Sequence, residues 1–222
     1  MSGLEVTTDS REGIPATEIV DYAGEHDVDA IVMGTAGRGG VTRMVVGSVA
    51  DKVVRTSPVP VVTVPPAASD AEPNGGSWTI DDLLLPTDGS QTADAAARDA
   101  LEVASQLEAT VHLLTVADTA RTSSVPTVTG VELLEGAAER LEELTAEAEA
   151  RGLEVTTTVR EGHPAEAILE HAETEPVDLI AMGTAGRGGV DRFVLGSVTD
   201  RVVRSAPVPV VTVRPDDVDP DC

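Results

Sequence analysis

Aromatic side chains are almost absent from this sequence, which has one Trp, one Tyr and one Phe in 222 residues. A core without rings must be filled by Val, Leu, Ala and Ile, which suits a β-branched parallel sheet covered by Ala- and Leu-rich helices. Cysteine is equally scarce. Cys222 stands alone, so no intramolecular disulfide is possible and nothing points to an oxidising compartment. Lysine is reduced to Lys52, and 15 basic residues face 39 acidic ones, for a formal charge of -24. Such a surface repels polyanions and argues against non-specific nucleic-acid binding. It reads either as a solubility device or as adaptation to high ionic strength, where a Debye length of about 3 Å at molar salt screens self-repulsion. No apolar run approaches the length of a membrane-spanning helix, and the opening MSGLEVTTDSREG has neither a basic n-region nor an apolar h-region. The expectation is a soluble, cytoplasmic protein.

What is present in abundance is repetition. The length allows one large domain or one and a half small ones, and an internal match favours the second arrangement. LEVTTDSREGIPA from Leu4 returns as LEVTTTVREGHPA from Leu153, MGTAGRGGV from Met33 recurs from Met182, and PVPVVTV from Pro58 recurs from Pro207. The offset is constant and gap-free, and about two thirds of the aligned positions are identical, which marks a duplication. The second copy has a front half, about residues 80–151, without a counterpart in the first. The segment between the copies, PPAASDAEPNGGS, reads as a linker. The expected organisation is a partial repeat over 1–65, a linker over 66–78, a complete domain over 79–215 and an acidic tail over 216–222.

Within the complete copy strands and helices alternate. Strands are expected at Asp82–Thr87, Thr110–Val116, Glu154–Arg160, Leu179–Met182 and Val208–Val213. Helices are expected at Thr92–Leu107, Val131–Arg151, Pro164–Thr174 and Ser197–Ser205, with a mobile loop over 118–130. This alternation implies a parallel, doubly wound sheet with right-handed crossovers. Ligands in such sheets lie beyond the C-terminal strand ends where the strand order reverses, here after the first and fourth strands.

Both places carry unusual residues. After the fourth strand, glycines 183, 186, 188, 189 and 196 are followed by Ser197 and Val198 in a Gly-x2-Gly-x9-Gly-Ser pattern. Glycines let backbone amides approach a phosphate, and a helix beginning at Ser197 would aim free N–H groups and its dipole at an anion. The plainer reading is a Gly-rich turn and a Ser N-cap; the position at a strand end, in duplicate, favours phosphate. Neither GxxxxGK[ST] nor a GxGxxG after the first strand is present, so this is neither a P-loop nor the dinucleotide fingerprint. Arg187 could pair with a phosphate or face solvent. After the first strand, Pro86-Thr87-Asp88-Gly89-Ser90 puts a carboxylate at the sheet edge. Asp88 could bond a ribose or base, orient a magnesium-bound water, or simply form an Asx turn. Val116 is either plain core or the apolar wall of an adenine pocket.

LLLPTDGS and GTAGRGGVDRFVLGSVTDRVVRSAPVPVVTV together resemble the universal stress protein family, and more narrowly its ATP-binding branch. The resemblance spans the second copy and the back half of the first. It implies a five-stranded parallel sheet of the adenine nucleotide alpha hydrolase-like, doubly wound kind, preceded here by a partial copy of the same fold. It also implies ATP, with Mg2+ as a possible companion, and a homodimer formed through the last strand. By matching position, Pro86, Thr87, Asp88 and Val116 would surround base and ribose. Gly183, Gly186, Arg187, Gly188, Gly196, Ser197 and Val198 would surround the phosphates. The first copy keeps the matching Gly34, Gly37, Arg38, Gly39, Gly47, Ser48 and Val49 but has no adenine side.

Nothing in the sequence demands an enzyme. Hydrolysis would need a base or a metal clamp, and no Lys stands near the loop. His26, His112, His163 and His171 have no converging metal spacing. His112 reads as packing or surface, and His163 and His171 as solvent-facing. The acidic tail could attract calcium weakly, though a solvated end is the simpler reading. A regulatory nucleotide-binding stress module leads, ahead of a slow ATP hydrolase or phosphotransferase and of a dimerising interaction protein. Pro60 and Pro209 suggest that Val59–Val64 and Val208–Val213 are edge strands, which could pair within the chain or across a dimer.

Overall fold

The structure is a computed structural model that describes residues 5–35, 47–66, 79–118, 130–184 and 195–214. The first segment of secondary structure is α1 (Pro15–Glu25), β1 (Ile31–Gly34), α2 (Ser48–Thr56) and β2 (Val61–Val64). Then come β3 (Asp82–Thr87), α3 (Gln91–Leu107), β4 (Thr110–Asp118), α4 (Gly130–Ala150), β5 (Val155–Gly162) and α5 (Pro164–Thr174). The chain closes with β6 (Leu179–Gly183), α6 (Ser197–Ser205) and β7 (Val210–Val213). The loop expected over 118–130, the linker after Pro66 and the acidic tail fall wholly or largely outside the described residues.

The strands make one seven-stranded sheet in the order β1-β2-β7-β6-β3-β4-β5. Every pairing is parallel except β2 with β7. Local composition explains the central strands. Leu83, Leu84 and Leu85 are all buried because β3 is covered on both faces, as a central parallel strand must be. On one face α3 and α4 bury Ala97, Ala100, Leu101, Ala104, Leu141 and Leu144 against Leu83, Leu85 and Val111. On the other, α5 and α6 set Ile168, Ala172, Val202 and Val203 against Leu84, Leu114 and Ile180. Small alanines let the helices lie close on the sheet. Gly152 ends α4 at φ 80, a left-handed position that glycine adopts without steric cost.

The duplication is visible in the geometry. Ile31 pairs with Val61 as Ile180 pairs with Val210. The amide of Gly47 donates to Thr35 O at 2.7 Å, and that of Gly196 to Thr184 O at 2.8 Å. The two copies meet back to back. Val62 lies opposite Val211 in the antiparallel seam, Thr63 Oγ1 donates to Val210 O at 3.1 Å, and Thr212 Oγ1 donates to Val61 O at 3.2 Å. Beside the seam, Arg55 of α2 bonds Asp51 and Asp200, and Arg204 of α6 bonds Asp200 and Asp51, at 2.8–3.1 Å. Val61 and Val210 are fully buried there, each contributing about 1.5–3 kcal/mol of hydrophobic stabilisation.

This arrangement bears out the pairing of the last strands within the chain and corrects one expectation. The strands after Pro60 and Pro209 are not edges, since β2 lies between β1 and β7, and β7 between β2 and β6. The prolines stand just before the strands and use only their carbonyls, which accept from Ile31 and Ile180. Both edges of β7 are therefore filled inside the chain, and a dimer through the last strand would first have to open the β2–β7 seam. Among the described residues no helix is long and apolar enough to cross a membrane.

Candidate functional site

The strand order reverses between β3 and β6, and there the ladder stops early. Only Leu83 and Leu84 of β3 pair with β6, whereas the β3–β4 register continues to Thr87. Residue 82 faces β6, because Asp178 N donates to Asp82 O. Alternation then turns residues 84 and 86 the same way, and Pro86 at that position has no N–H to offer. The two strands are thus free to part at their C-terminal ends, and the space beyond them is the candidate cleft at the switch point.

One wall of the cleft is the β3–α3 turn. Thr87 is buried, accepts from the Gly89 amide at 3.0 Å and donates to Asp94 at 3.3 Å; its own carbonyl accepts from Thr115 Oγ1. Asp88 Oδ1 accepts from Ser90 N at 3.0 Å, the Asx-turn geometry, and Gly89 sits at φ 68. Ser90 then caps α3 by accepting from Ala93 N. Burial raises the Asp94 carboxyl above the usual range; the Thr87 hydrogen bond opposes this and the charge of Asp88 adds to it. Asp94 is a member of this wall that the sequence reading missed. Its signal was its place in the first turn of a helix that follows the motif directly.

The opposite wall is the end of β6 and the start of α6. Gly183 and Thr184 are buried, and the far end of the glycine loop is pinned to them. Gly196 N donates to Thr184 O, and Thr199 Oγ1 donates to Gly183 O at 2.9 Å. The N-cap is Gly196, with no side-chain cap, and Ser197 is the first helical residue, which keeps the expected start of the helix and corrects the plainer reading of a serine cap. The first intrahelical bond is Asp200 N to Gly196 O. The amides of Ser197, Val198 and Thr199 are left without an intrahelical acceptor, at the positive end of the helix dipole. Ser197 is exposed, and Val198 and Val116 are half-buried against the core of that face. Gly186, Arg187 and Gly188 lie outside the described residues. So the structure brings Pro86, Thr87 and Asp88 to one strand end and Gly183, Gly196, Ser197 and Val198 to the neighbouring one. Val116 lies one strand further over, on β4. In the first copy, Gly34, Gly47, Ser48 and Val49 repeat the helix-start wall, while Gly37, Arg38 and Gly39 lie outside the described residues. Among the described residues no strand stands where β3 would be.

A second correction concerns histidine. His163 is exposed as expected, but His171 is 4% exposed, with neither ring nitrogen hydrogen-bonded. Its ring stands edge-on to His112 at 6.1 Å. His112 itself is held by Asp82 at 2.8 Å and Thr156 at 3.0 Å. Burial, with Arg160 nearby, lowers the His171 pKa. The position follows from helical spacing, because His171 shares the buried stripe of Ile168 and Ala172. The pair packs low on β4, at the end of the sheet away from the cleft.

The universal stress protein family model matches residues 1–65 and 79–214. The chain belongs to the universal stress protein family. A universal stress protein of Methanocaldococcus jannaschii is 36% identical over 137 residues, covering 60% of this chain and 81% of its own. The crystal structure of a universal stress protein from Archaeoglobus fulgidus superposes with a TM-score of 0.68 at 27% identity, covering 96% of this chain and 71% of that one. A universal stress protein crystallised in complex with cAMP superposes with a TM-score of 0.50 at 21% identity, covering 62% of this chain and 99% of that one.

Proposed function

We propose that residues 79–215 form a complete nucleotide-binding domain that takes ATP in the β3–β6 cleft and acts as a regulatory stress module. In this reading residues 1–65 are a partial repeat, 66–78 a linker and 216–222 a solvated acidic tail. The observation that carries the reading is the early end of the β3–β6 ladder at a topological switch point, with the free amides of α6 on one side and Asp88 on the other. Backbone amides at a helix start recognise a polyphosphate without needing lysine. The β3 end, with Val116 beyond it on β4, offers a carboxylate for a ribose and an apolar surface for a base, and Asp88 could also orient a hydrated Mg2+ ion. Gly186, Arg187 and Gly188 would complete the phosphate side. The fold accommodates an adenine nucleotide in the relative crystallised with cAMP, which supports adenine as the base.

The test is a thermal shift against ATP and Mg2+ in high salt. Saturation to 100 times Kd stabilises by about 2.7 kcal/mol, a rise of several degrees for a chain of this size. Ser197→Asp, which puts a carboxylate where the phosphates would lie, should abolish the rise while leaving the ligand-free melting temperature nearly unchanged. No ATP-dependent shift in the parent protein would overturn the reading, and release of ADP from bound ATP would instead mark a hydrolase.

The acidic surface is proposed as an adaptation to a cytoplasm of high ionic strength. A net charge of -24 destabilises the compact state until salt screens it. The melting temperature should therefore climb steadily with KCl, and a flat response would leave a solubility device as the better account.

A further inference from the structure

Asp94 stands in the first turn of α3, where an acid ordinarily faces water and favours the helix through its dipole. Here it is half-buried, and taking a carboxylate from water is a cost that a purely dipolar role does not require. Its Oδ1 accepts from Thr87 Oγ1 at 3.3 Å, across the turn that carries Asp88. The same Thr87 oxygen accepts from Gly89 N at 3.0 Å. A hydroxyl has one proton to give, and that of Thr87 goes to Asp94. Asp88 therefore lies between two residues tied to each other, Thr87 before it and Gly89 after it. The Thr87 carbonyl is fixed separately, by Thr115 Oγ1 at 2.9 Å. Of the bonds that hold Thr87, the one to Asp94 has a charged, titratable partner.

We infer that Asp94 is a positioning residue of the nucleotide site: its carboxylate locks the Thr87 hydroxyl, and through it the Gly89 amide, so that the Asp88 turn is ordered before the ligand arrives. This rests on the reading of the cleft as an adenine-nucleotide site and adds what sets affinity on its base and ribose side. An ionised acceptor makes the bond to Thr87 about twice as strong as a neutral one. With a weaker tie the turn has to be ordered at the moment of binding, and that ordering is subtracted from the affinity. The charges acting on Asp94 are Asp88 in the turn, Arg98 one turn further along α3 and Glu143 of α4. Burial above all, with the two acids, holds its carboxyl above the usual range, against the Thr87 hydrogen bond and Arg98. The turn thus loses its charged acceptor at a milder acidity than an ordinary aspartate would allow.

The probe is adenosine, which carries no phosphate and so reads this wall without the α6 amides and without a titrating group of its own near neutral pH. It is titrated calorimetrically into the full chain in high salt. Asp94→Asn keeps a neutral acceptor and should bind about fivefold more weakly than the parent; Asp94→Ala keeps none and should lose at least about tenfold. Thr87→Val should cost as much as Asp94→Ala, and the double variant no more than either. As the pH is lowered, the affinity of the parent should fall to that of Asp94→Asn, which itself stays level over the same range. This comparison decides the matter even if Asp94→Ala does not fold. Equal affinity in parent and variants, or an Asp94→Asn protein that titrates as the parent does, overturns the positioning role. So does a lower melting temperature with unchanged affinity, which would leave Asp94 a helix acid only. A parent that binds ATP but not adenosine overturns this inference alone, whereas one that binds neither overturns the nucleotide reading and this inference with it.

Discussion

Replacing Thr63 or Thr212 by Val tests the seam that joins the two copies. Both hydroxyls are buried, at 0% and 2% exposure, and each donates across the seam to a strand carbonyl, at 3.1 and 3.2 Å. The substitution keeps the β-branched shape and deletes one neutral hydrogen bond, a net loss of about 1 kcal/mol. For a chain of this length that lowers the melting temperature by about 2–4 °C. Because the residues are related by the internal repeat and their contacts are reciprocal, the two single variants should cost nearly the same. Neutral, buried hydrogen bonds are not screened, so neither loss should depend on KCl. The assay is circular-dichroism melting at low and molar KCl, with deuterium exchange at Val61–Thr63 and Val210–Thr212 to localise the effect. If one variant destabilises by several degrees and the other is silent, or both are silent at every salt concentration, the reciprocal seam does not exist in solution.

Asp200→Ala leaves the guanidinium groups of Arg55 and Arg204 sharing Asp51 alone. With side chains about 30% exposed, the loss should be no more than about 1 kcal/mol at low salt and should shrink toward zero in molar KCl. Its persistence at high salt would show a packing role instead. The His171 pKa is lowered in the folded state by burial. Its stabilisation is therefore complete above the unfolded value of about 6.5 and declines as pH falls below it. Melting temperature should drop between pH 7.5 and 5, and His171→Leu should flatten that part of the profile. An unchanged slope would mean that His171 is not the titrating group. Gly152→Ala places a side chain at φ 80 where an added Cβ meets nothing within 4 Å. A cost of about 1 kcal/mol from the backbone alone is expected, and a neutral result in equilibrium denaturation would contradict that φ.

Elements written in local patterns were legible in the sequence. The run LLL of β3, the proline-started α5 and the boundaries of α6 follow from alternation, capping and spacing within a dozen residues. The repeat offset also told which strands correspond. It could not tell which strands touch, because the β2–β7 pairing joins residues about 150 positions apart and leaves no local signal. Pro60 and Pro209 pointed to edges for the same reason: a proline shows a missing donor, and only the third dimension shows that the strand begins one residue later. That Asp88 and Gly183 stand at the ends of neighbouring strands follows from the strand and helix alternation and the topology rule for parallel sheets. Asp94 escaped notice because its burial depends on Thr87 turning toward it. His171 was misjudged as a polar residue on a helix, although it sits at i+3 from Ile168 on the buried stripe.

The central claim is that the complete copy holds one adenine nucleotide between the ends of β3 and β6. Its most direct test is the nucleotide content of protein purified in high salt, read by chromatography of the acid-released ligand. The account predicts close to one equivalent of ATP per chain for the parent protein and almost none for Ser197→Asp. A parent protein that is empty, and that still binds no ATP when titrated calorimetrically, would contradict it.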